Sequence, residues 1–159
     1  MMLLTDLRDT VVRPTLDRLG LGSPAAIALV LGTAVQESGL GALKQLGGGP
    51  ARGFWQIEPF THNDVVERLS ILKPHLHERL SEIVGIWPSR IEQLSTNLCY
   101  GAAICRLKYY LIPEALPEAG DVDGLAAYWK THFNTRLGKG RPEQWAKSFR
   151  QYVAHILTA

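Results

Sequence analysis

The sequence of 159 residues has little cysteine, little net charge and no long apolar run. Its two cysteines, Cys99 and Cys105, lie in a run that predicts a helix, so their Cα atoms would be about 9 Å apart and out of disulfide range. We therefore expect two free thiols, which suits a protein of the reducing cytosol. The longest uncharged apolar stretch, 24–35, is too short to span a bilayer.

No secretory leader is recognisable at the start of the chain. The first residues lack a basic region and reach a charge already at Asp6, so we expect a protein made in the cytoplasm without a signal peptide. The overall charge is small, because 17 Lys and Arg stand against 15 Asp and Glu, for a net charge of +2. A balance this even does not indicate a nucleic-acid partner.

Positive charge is concentrated near the carboxyl end, over residues 130–150. This segment has one acidic residue, Glu143, and six basic residues: Lys130, Arg136, Lys139, Arg141, Lys147 and Arg150. Such a run predicts either a solvated helix face or a surface that attracts an anionic partner. Trp145 and Phe149 fit core positions of the same segment, so we do not expect it to bind nucleic acid.

Helical periodicity extends along most of the chain. No repeat or linker divides residues 1–159, which predicts one domain. Helices are predicted over 4–19, 24–38, 62–70, 74–84, 96–111, 122–133 and 142–157, with a short one after Pro88. Pro14 should kink or split the first helix. Short strands at 43–46 and 54–57 should form a hairpin around a glycine-rich tip. The expected fold class is mainly α, with one small β-hairpin.

The helix predicted over 24–38 carries the most informative side chain, Glu37. Its apolar stripe consists of Ile27, Val30, Leu31, Ala34 and Val35. Glu37 falls at the margin of this face in the last turn, where partial burial and the negative helix end both disfavour a carboxylate. Both effects raise the pKa of the carboxyl, as a general acid near neutral pH requires. The alternative is an ordinary carboxylate at the rim of a core helix, exposed or paired with a lysine.

Glycines and two adjacent aromatic residues follow Glu37. A carboxyl that faces a glycine-rich hairpin with Phe54 and Trp55 indicates a glycan cleft, because aromatic rings stack on the C–H faces of sugars. Neighbouring side chains of a strand point to opposite faces. We therefore expect at most one of them, Trp55, to reach the cleft and the other to pack in the core. The alternative is that both are core residues.

Four short motifs occur in order across residues 24–135. They are Glu37-Ser38-Gly39, Gly53-x-x-Gln56-Ile57-x-Pro59-x-Thr61, Asn97-x-x-x-Gly101 and Ala126-Ala127-Tyr128. Their order and spacing resemble the motifs of lysozyme-like lytic transglycosylases and goose-type lysozymes. The stretch 55–64 looks most like phage-encoded members of that superfamily, including virion-associated ones.

The resemblance implies a lysozyme-like α+β fold and cleavage of peptidoglycan between MurNAc and GlcNAc, without cofactor or metal. Glu37 would be the general acid. Gln56 would line the cleft and either bind substrate or position the acid. Tyr128 would hydrogen-bond the acid, and the alternative is a core aromatic residue of its helix. Ser38 and Thr61, which lie in the motifs, would also bind substrate. Beside them, Trp55 and His62 are candidates from their place at the hairpin. His62 could bond substrate or Asp64, and the alternative is an ordinary histidine in the first turn of a helix. A protein without a signal peptide would reach the cell wall in a virion, beside other virion proteins, or through a holin-type pore.

A second carboxyl near the hairpin would decide the type of reaction. An inverting hydrolase places a base about 6.5–9.5 Å from the acid, and a retaining enzyme places a nucleophile about 5 Å away. Glu58 follows Gln56 by two residues, so the two side chains would lie on the same face of an extended strand. Glu58 is therefore the predicted second catalytic residue. The alternative is that Glu58 caps the next helix. Without a second acid, the 6-hydroxyl of the substrate would attack and give a 1,6-anhydro product.

Two of the motifs depart from those of the family. Ile104-Cys105 stands where the third motif has Tyr-Leu, and Trp129 replaces the Asn of the fourth. These departures leave room for a second interpretation, in which the chain is a virion structural or glycan-binding protein with a non-catalytic lysozyme-like fold.

Histidines at positions 75 and 77 are the nearest approach to a metal-binding pattern. In a helix, residues two apart diverge by about 200°, and no third ligand is near in the sequence. We therefore expect no metal site at His75 and His77.

Overall fold

The structure is a computed structural model that describes residues 2–134 and 138–158. Most of these residues are helical, so the predicted mainly α class is confirmed. The helical elements are α1 (Leu4–Asp6), a π-helix (Leu7–Val12), α2 (Arg13–Leu19), α3 (Pro24–Ser38), α4 (Pro59–Leu72), α5 (Pro74–Ile83), α6 (Arg90–Thr96), α7 (Leu98–Tyr110), α8 (Val122–Trp129), a second π-helix (Lys130–Asn134), α9 (Pro142–Ser148), a third π-helix (Phe149–Val153) and α10 (Ala154–Leu157). Arg136 of the basic segment lies outside the described residues.

The first helical run changes its hydrogen-bond pattern just before Pro14. The π-helix ends at Val12, and α2 begins at Arg13 with the proline in its first turn. Pro14 has no N–H to donate into an α-helical ladder. The predicted split therefore takes the form of a π-helical segment rather than a break in the chain.

Helix α3 lies at the centre of the fold. Every residue from Ala26 to Ala34 is buried, because α7, α8, α9 and two of the π-helices pack around it. Ser23 caps its start by accepting a hydrogen bond of 3.1 Å from the backbone N–H of Ala26, and Gly39, with a φ of 57°, ends it. The last turn of α3 is only partly buried, which leaves Glu37 at the edge of the core.

The glycine-rich stretch does not form the two predicted strands. It makes two isolated antiparallel bridges, Lys44 to Arg52 and Arg52 to Ile57. Between the last two residues the chain turns, with positive φ angles of 77° at Gly53 and 48° at Gln56. The prediction of a strand that ends at Ile57 is therefore wrong, and a tight turn takes the place of this strand.

Both cysteines are free thiols, as predicted. Cys105 is fully buried in α7, and burial raises the pKa of its thiol, which keeps it protonated. Within the described part of the chain, no helix is both long enough and apolar enough to cross a membrane.

Candidate functional site

A cleft of about 280 Å³ lies beside the last turn of α3. The chain segments around it are that turn, the tight turn before α4, the first turn of α4, the end of α7 and the π-helix after α8. The lining residues are Glu37, Gln56, Ile57, Glu58, Thr61, Lys108, Phe133 and Asn134. Of the residues predicted for the site, Glu37, Gln56, Glu58 and Thr61 meet in this cleft.

Glu37 is half-buried and opens on the cleft. The indole Nε1 of Trp129 donates a hydrogen bond of 3.0 Å to its Oε1. Burial raises the pKa of Glu37, while the hydrogen bond from Trp129 and the positive charge of Lys108 oppose that rise. Because the net direction is upward, more of this carboxyl stays protonated near neutral pH than in an exposed glutamate.

Trp129 is a site residue that the sequence motifs do not predict. Its side chain is fully buried, and the indole packs closely against Gly140. Leu125 and Ala126, four and three residues earlier, are also buried, so helical periodicity puts Trp129 on the inward face of α8. A buried indole N–H normally finds an acceptor. Those two rules together are the signal that could have identified it.

Tyr128 does not make the predicted contact with the acid Glu37. Its hydroxyl donates a hydrogen bond of 2.9 Å to the backbone carbonyl of Glu114, and its ring packs against His132. Successive residues of a helix point about 100° apart, so Tyr128 faces away from Glu37 when Trp129 faces it. The hydrogen bond predicted for Tyr128 is therefore made by Trp129.

Lys108 and Glu58 supply the other charges of the cleft. The Lys108 ammonium donates a hydrogen bond of 3.2 Å to the Phe133 carbonyl and lies 4.1 Å from the centre of that ring. Burial lowers the pKa of Lys108, and the nearby negative charges of Glu37 and Glu58 oppose that fall. Glu58 is exposed and occupies the N-cap position of α4, as the alternative interpretation has it, although its side chain makes no capping hydrogen bond. Neither carboxylate forms a salt bridge with a described residue.

Gln56 borders the cleft in a left-handed backbone conformation. Its φ of 48° lies in a region that residues other than glycine seldom adopt. Its backbone N–H and its Nε2 both donate to the Gly53 carbonyl, at 3.0 and 2.8 Å, and these bonds hold the turn. Backbone strain of this kind concentrates at functional sites. Thr61, from the first turn of α4, completes this wall of the cleft.

Trp55 does not reach the cleft, which corrects its predicted role in substrate binding. The side chain is fully buried, and its Nε1 donates a hydrogen bond of 2.9 Å to the Val30 carbonyl. Phe54 is buried as well. The alternation of faces that allowed at most one aromatic residue in the cleft holds for a strand, whereas these two residues lie in a turn.

His62 and Ser38 also have structural contacts in place of the predicted substrate contacts. His62 is buried, and its Nε2 lies 2.6 Å from the hydroxyl of Tyr100. The Ser38 hydroxyl donates to the Ala34 carbonyl at 3.1 Å and accepts from the Leu40 N–H at 3.2 Å. Neither residue borders the cleft. His62 ties α4 to α7, and Ser38 closes the end of α3.

The residues that the structure describes include no group of three or more His, Cys, Asp and Glu side chains arranged to hold a metal ion. His75 and His77 lie on α5. In the basic segment, Lys130 donates to Asn134 Oδ1 at 2.7 Å, and Arg150 pairs with Asp123 at 3.0 Å. Part of that charge is therefore used within the fold.

Replacing Trp129 by Phe should raise the pKa of Glu37 further. The substitution removes the indole N–H, and a hydrogen bond to a charged group contributes about 1.5–3 kcal/mol in favour of the ionised form. Carbon-detected NMR titration of the Glu37 carboxyl would measure the shift. Trp87→Phe is the control, because Trp87 is 84% exposed and does not border the cleft. An unchanged Glu37 titration in Trp129→Phe would contradict the role given to the indole.

Comparisons of the chain with protein-family models, with curated proteins and with solved structures find no match. The geometry of the cleft and the motifs of the sequence are therefore what indicate a function.

Proposed function

We propose that the protein is a peptidoglycan-cleaving glycosidase, a muramidase or lytic transglycosylase that acts on the β-1,4 bond between MurNAc and GlcNAc. Glu37 is the general acid. The observation that carries this proposal is a half-buried carboxyl, with a pKa raised by burial, that opens on a cleft and has no salt bridge to the described residues. The substrate class comes from the order of the four motifs in the sequence.

The hydrogen bond from Trp129 determines which carboxyl oxygen gives up the proton. Oε1 accepts from the indole Nε1, so the transferable proton resides on Oε2. When that proton moves to the glycosidic oxygen, negative charge develops on Glu37. The indole N–H and the Lys108 ammonium both stabilise this charge, and neither has to move to do so.

The second half of the reaction needs a nucleophile at the anomeric carbon. Glu58 is the second carboxylate on the cleft and is open to solvent. As a general base it would take a proton from an attacking water and leave a reducing end. In a transglycosylase the 6-hydroxyl of MurNAc attacks instead and leaves a 1,6-anhydro end.

Mass spectrometry of purified sacculi digested by the protein tests this function. We expect released muropeptides, whose ends identify the nucleophile. Reducing ends whose release falls by about 10²-fold or more in Glu58→Gln would assign the base to Glu58. The proposal would be contradicted by saturable binding to sacculi that gives no product between about pH 5 and pH 8. This is the range in which a carboxyl of raised pKa works. That result would favour the non-catalytic glycan-binding function.

A further inference from the structure

A second groove lies at the opposite end of α4 from the cleft. Thr61, in the first turn of α4, borders the cleft, and Leu72, its last residue, borders the groove. Eleven residues of helix place these two about 16 Å apart. The groove has a volume of about 460 Å³ and lies between the ends of α4 and α7 and the loop after α7. None of the described residues borders both sites, so the groove is separate from the cleft.

Arg106 contributes a buried guanidinium to this groove. Only 7% of the residue is exposed, and its Nε donates a hydrogen bond of 3.0 Å to the Leu21 carbonyl. Within the described residues, its Nη1 and Nη2 have neither a hydrogen-bond acceptor nor a carboxylate partner. Unlike Trp145 Nε1, they are not among the polar atoms fully enclosed without a partner. They therefore keep some exposure to solvent, and Arg106 borders the groove.

Among the described residues that line the groove, positive charge exceeds negative charge. Lys73 Nζ lies 5.8 Å from the centre of the Tyr110 ring, and Arg106 Cζ lies 5.7 Å from the same centre. Glu114 carries the one carboxylate among the described lining residues, and its Oε2 contacts His132 Nε2 at 2.7 Å. A buried charge is costly unless it is paired, and burial lowers the pKa of Arg106 accordingly. An anion in the groove would remove this cost.

The shape of the cations and the walls specifies the anion. A guanidinium offers two parallel N–H groups that match the two oxygens of a carboxylate, and Lys73 adds a point charge beside it. Leu72, Tyr110 and Tyr128 make the walls largely apolar and aromatic. We propose that this groove binds a carboxylate carried on an apolar or aromatic body. A phosphate dianion fits less well, because the Glu114 carboxylate at the rim repels its second charge.

Titration of the full chain, followed by two-dimensional amide NMR, tests this site with defined probes. The ligand is N-acetylphenylalanine, and its neutral amide and phenyl phosphate are the comparison ligands. We expect saturable shifts at the end of α7 and in the loop 111–116, with a Kd of about 1 mM for a ligand of this size. The neutral amide should bind about tenfold more weakly, because it cannot pair with the guanidinium.

Two variants separate the cations of the groove from general effects on the fold. Lys73→Gln removes a half-exposed charge and should weaken binding of the acid about threefold. Arg106→Lys keeps a positive charge but loses the planar fork, and should weaken it about tenfold. Lys147→Gln, exposed on α9, is the control and should bind like the parent.

Several results would overturn the proposal for this groove. They are equal affinity for the acid and its amide, tighter binding of phenyl phosphate, shifts confined to the cleft, and no saturable shift at about ten times the expected Kd. If Arg106→Lys does not fold, undiminished binding by Lys73→Gln has the same consequence. None of these measurements depends on glycosidase activity, so the groove and the cleft stand or fall separately.

Discussion

Glu37→Gln is expected to slow the release of muropeptides from sacculi by about 10²–10⁴-fold, the usual contribution of a positioned general acid. The glutamine keeps the shape of the side chain and an oxygen that can accept the hydrogen bond from Trp129 Nε1. Its amide, however, has no acidic proton for the glycosidic oxygen. The loss should therefore fall on the chemical step, with binding to sacculi unchanged in a sedimentation assay.

The same substitution should change stability in a pH-dependent way. Burial raises the pKa of Glu37, so above the ordinary value for glutamate the native state holds a proton that the unfolded chain has lost. The parent protein therefore loses stability as pH rises through that range, and Glu37→Gln does not. Thermal unfolding measured from about pH 4 upward should show that the parent and the variant are equally stable at the acid end. As pH rises, the variant should become the more stable of the two.

Glu67→Gln is the matched control for both measurements. Glu67 is exposed on α4 and does not border the cleft, so this variant should release muropeptides like the parent. Parent-like release by Glu37→Gln would show that the proton comes from another group. An inactive Glu37→Gln variant with a lowered melting temperature would attribute the loss to the fold instead of the chemistry.

Most of the helices were predictable because local chemistry marks their ends. Ser23 caps α3, and Asp121 caps α8 by accepting a hydrogen bond of 2.9 Å from the Gly124 N–H. Such contacts act over a few residues and do not depend on the remaining fold. The place of Glu37, at the end of an apolar helix, follows from periodicity in the same way.

The partner of Glu37 was not predictable from motifs, because it depends on packing between distant segments. Trp129 lies 92 residues from Glu37 in the sequence. Which of two adjacent aromatic residues faces the acid depends on how α8 is rotated about its own axis. Packing of α8 against α9 and α3 fixes that rotation. The motif pointed to Tyr128, whereas the packing selects Trp129.

The turn before α4 escaped prediction for a similar reason. Alternation along a strand allowed at most one aromatic residue in the cleft, for which Trp55 was the candidate, yet Phe54 and Trp55 are both buried. The chain turns at Gly53, which lies close against Leu94 of α6. Contact with a segment about forty residues further along the chain leaves no local pattern in the sequence.

Gly53→Ala is expected to destabilise the protein by about 2–5 kcal/mol, from two sources. The φ of Gly53 is 77°, a conformation that costs other residues about 1–2 kcal/mol. A Cβ at this position would also overlap the carbonyl oxygen of Leu94, and overpacking of this kind costs about 1–3 kcal/mol more. Denaturant unfolding should show a lower midpoint with an unchanged slope.

Gly48→Ala is the matched control, since Gly48 has a φ of 84° but open space around it. Its free energy of unfolding should fall only by the cost of the backbone conformation, about 1–2 kcal/mol. The difference between the two variants therefore measures the contact with Leu94. Equal losses would mean that the turn can shift away from α6 at little cost.

The contact between Gly53 and Leu94 also affects the cleft, because the Gly53 carbonyl accepts both hydrogen bonds that hold Gln56. Gly53→Ala should therefore slow muropeptide release even at temperatures where it remains folded, while Gly48→Ala should not.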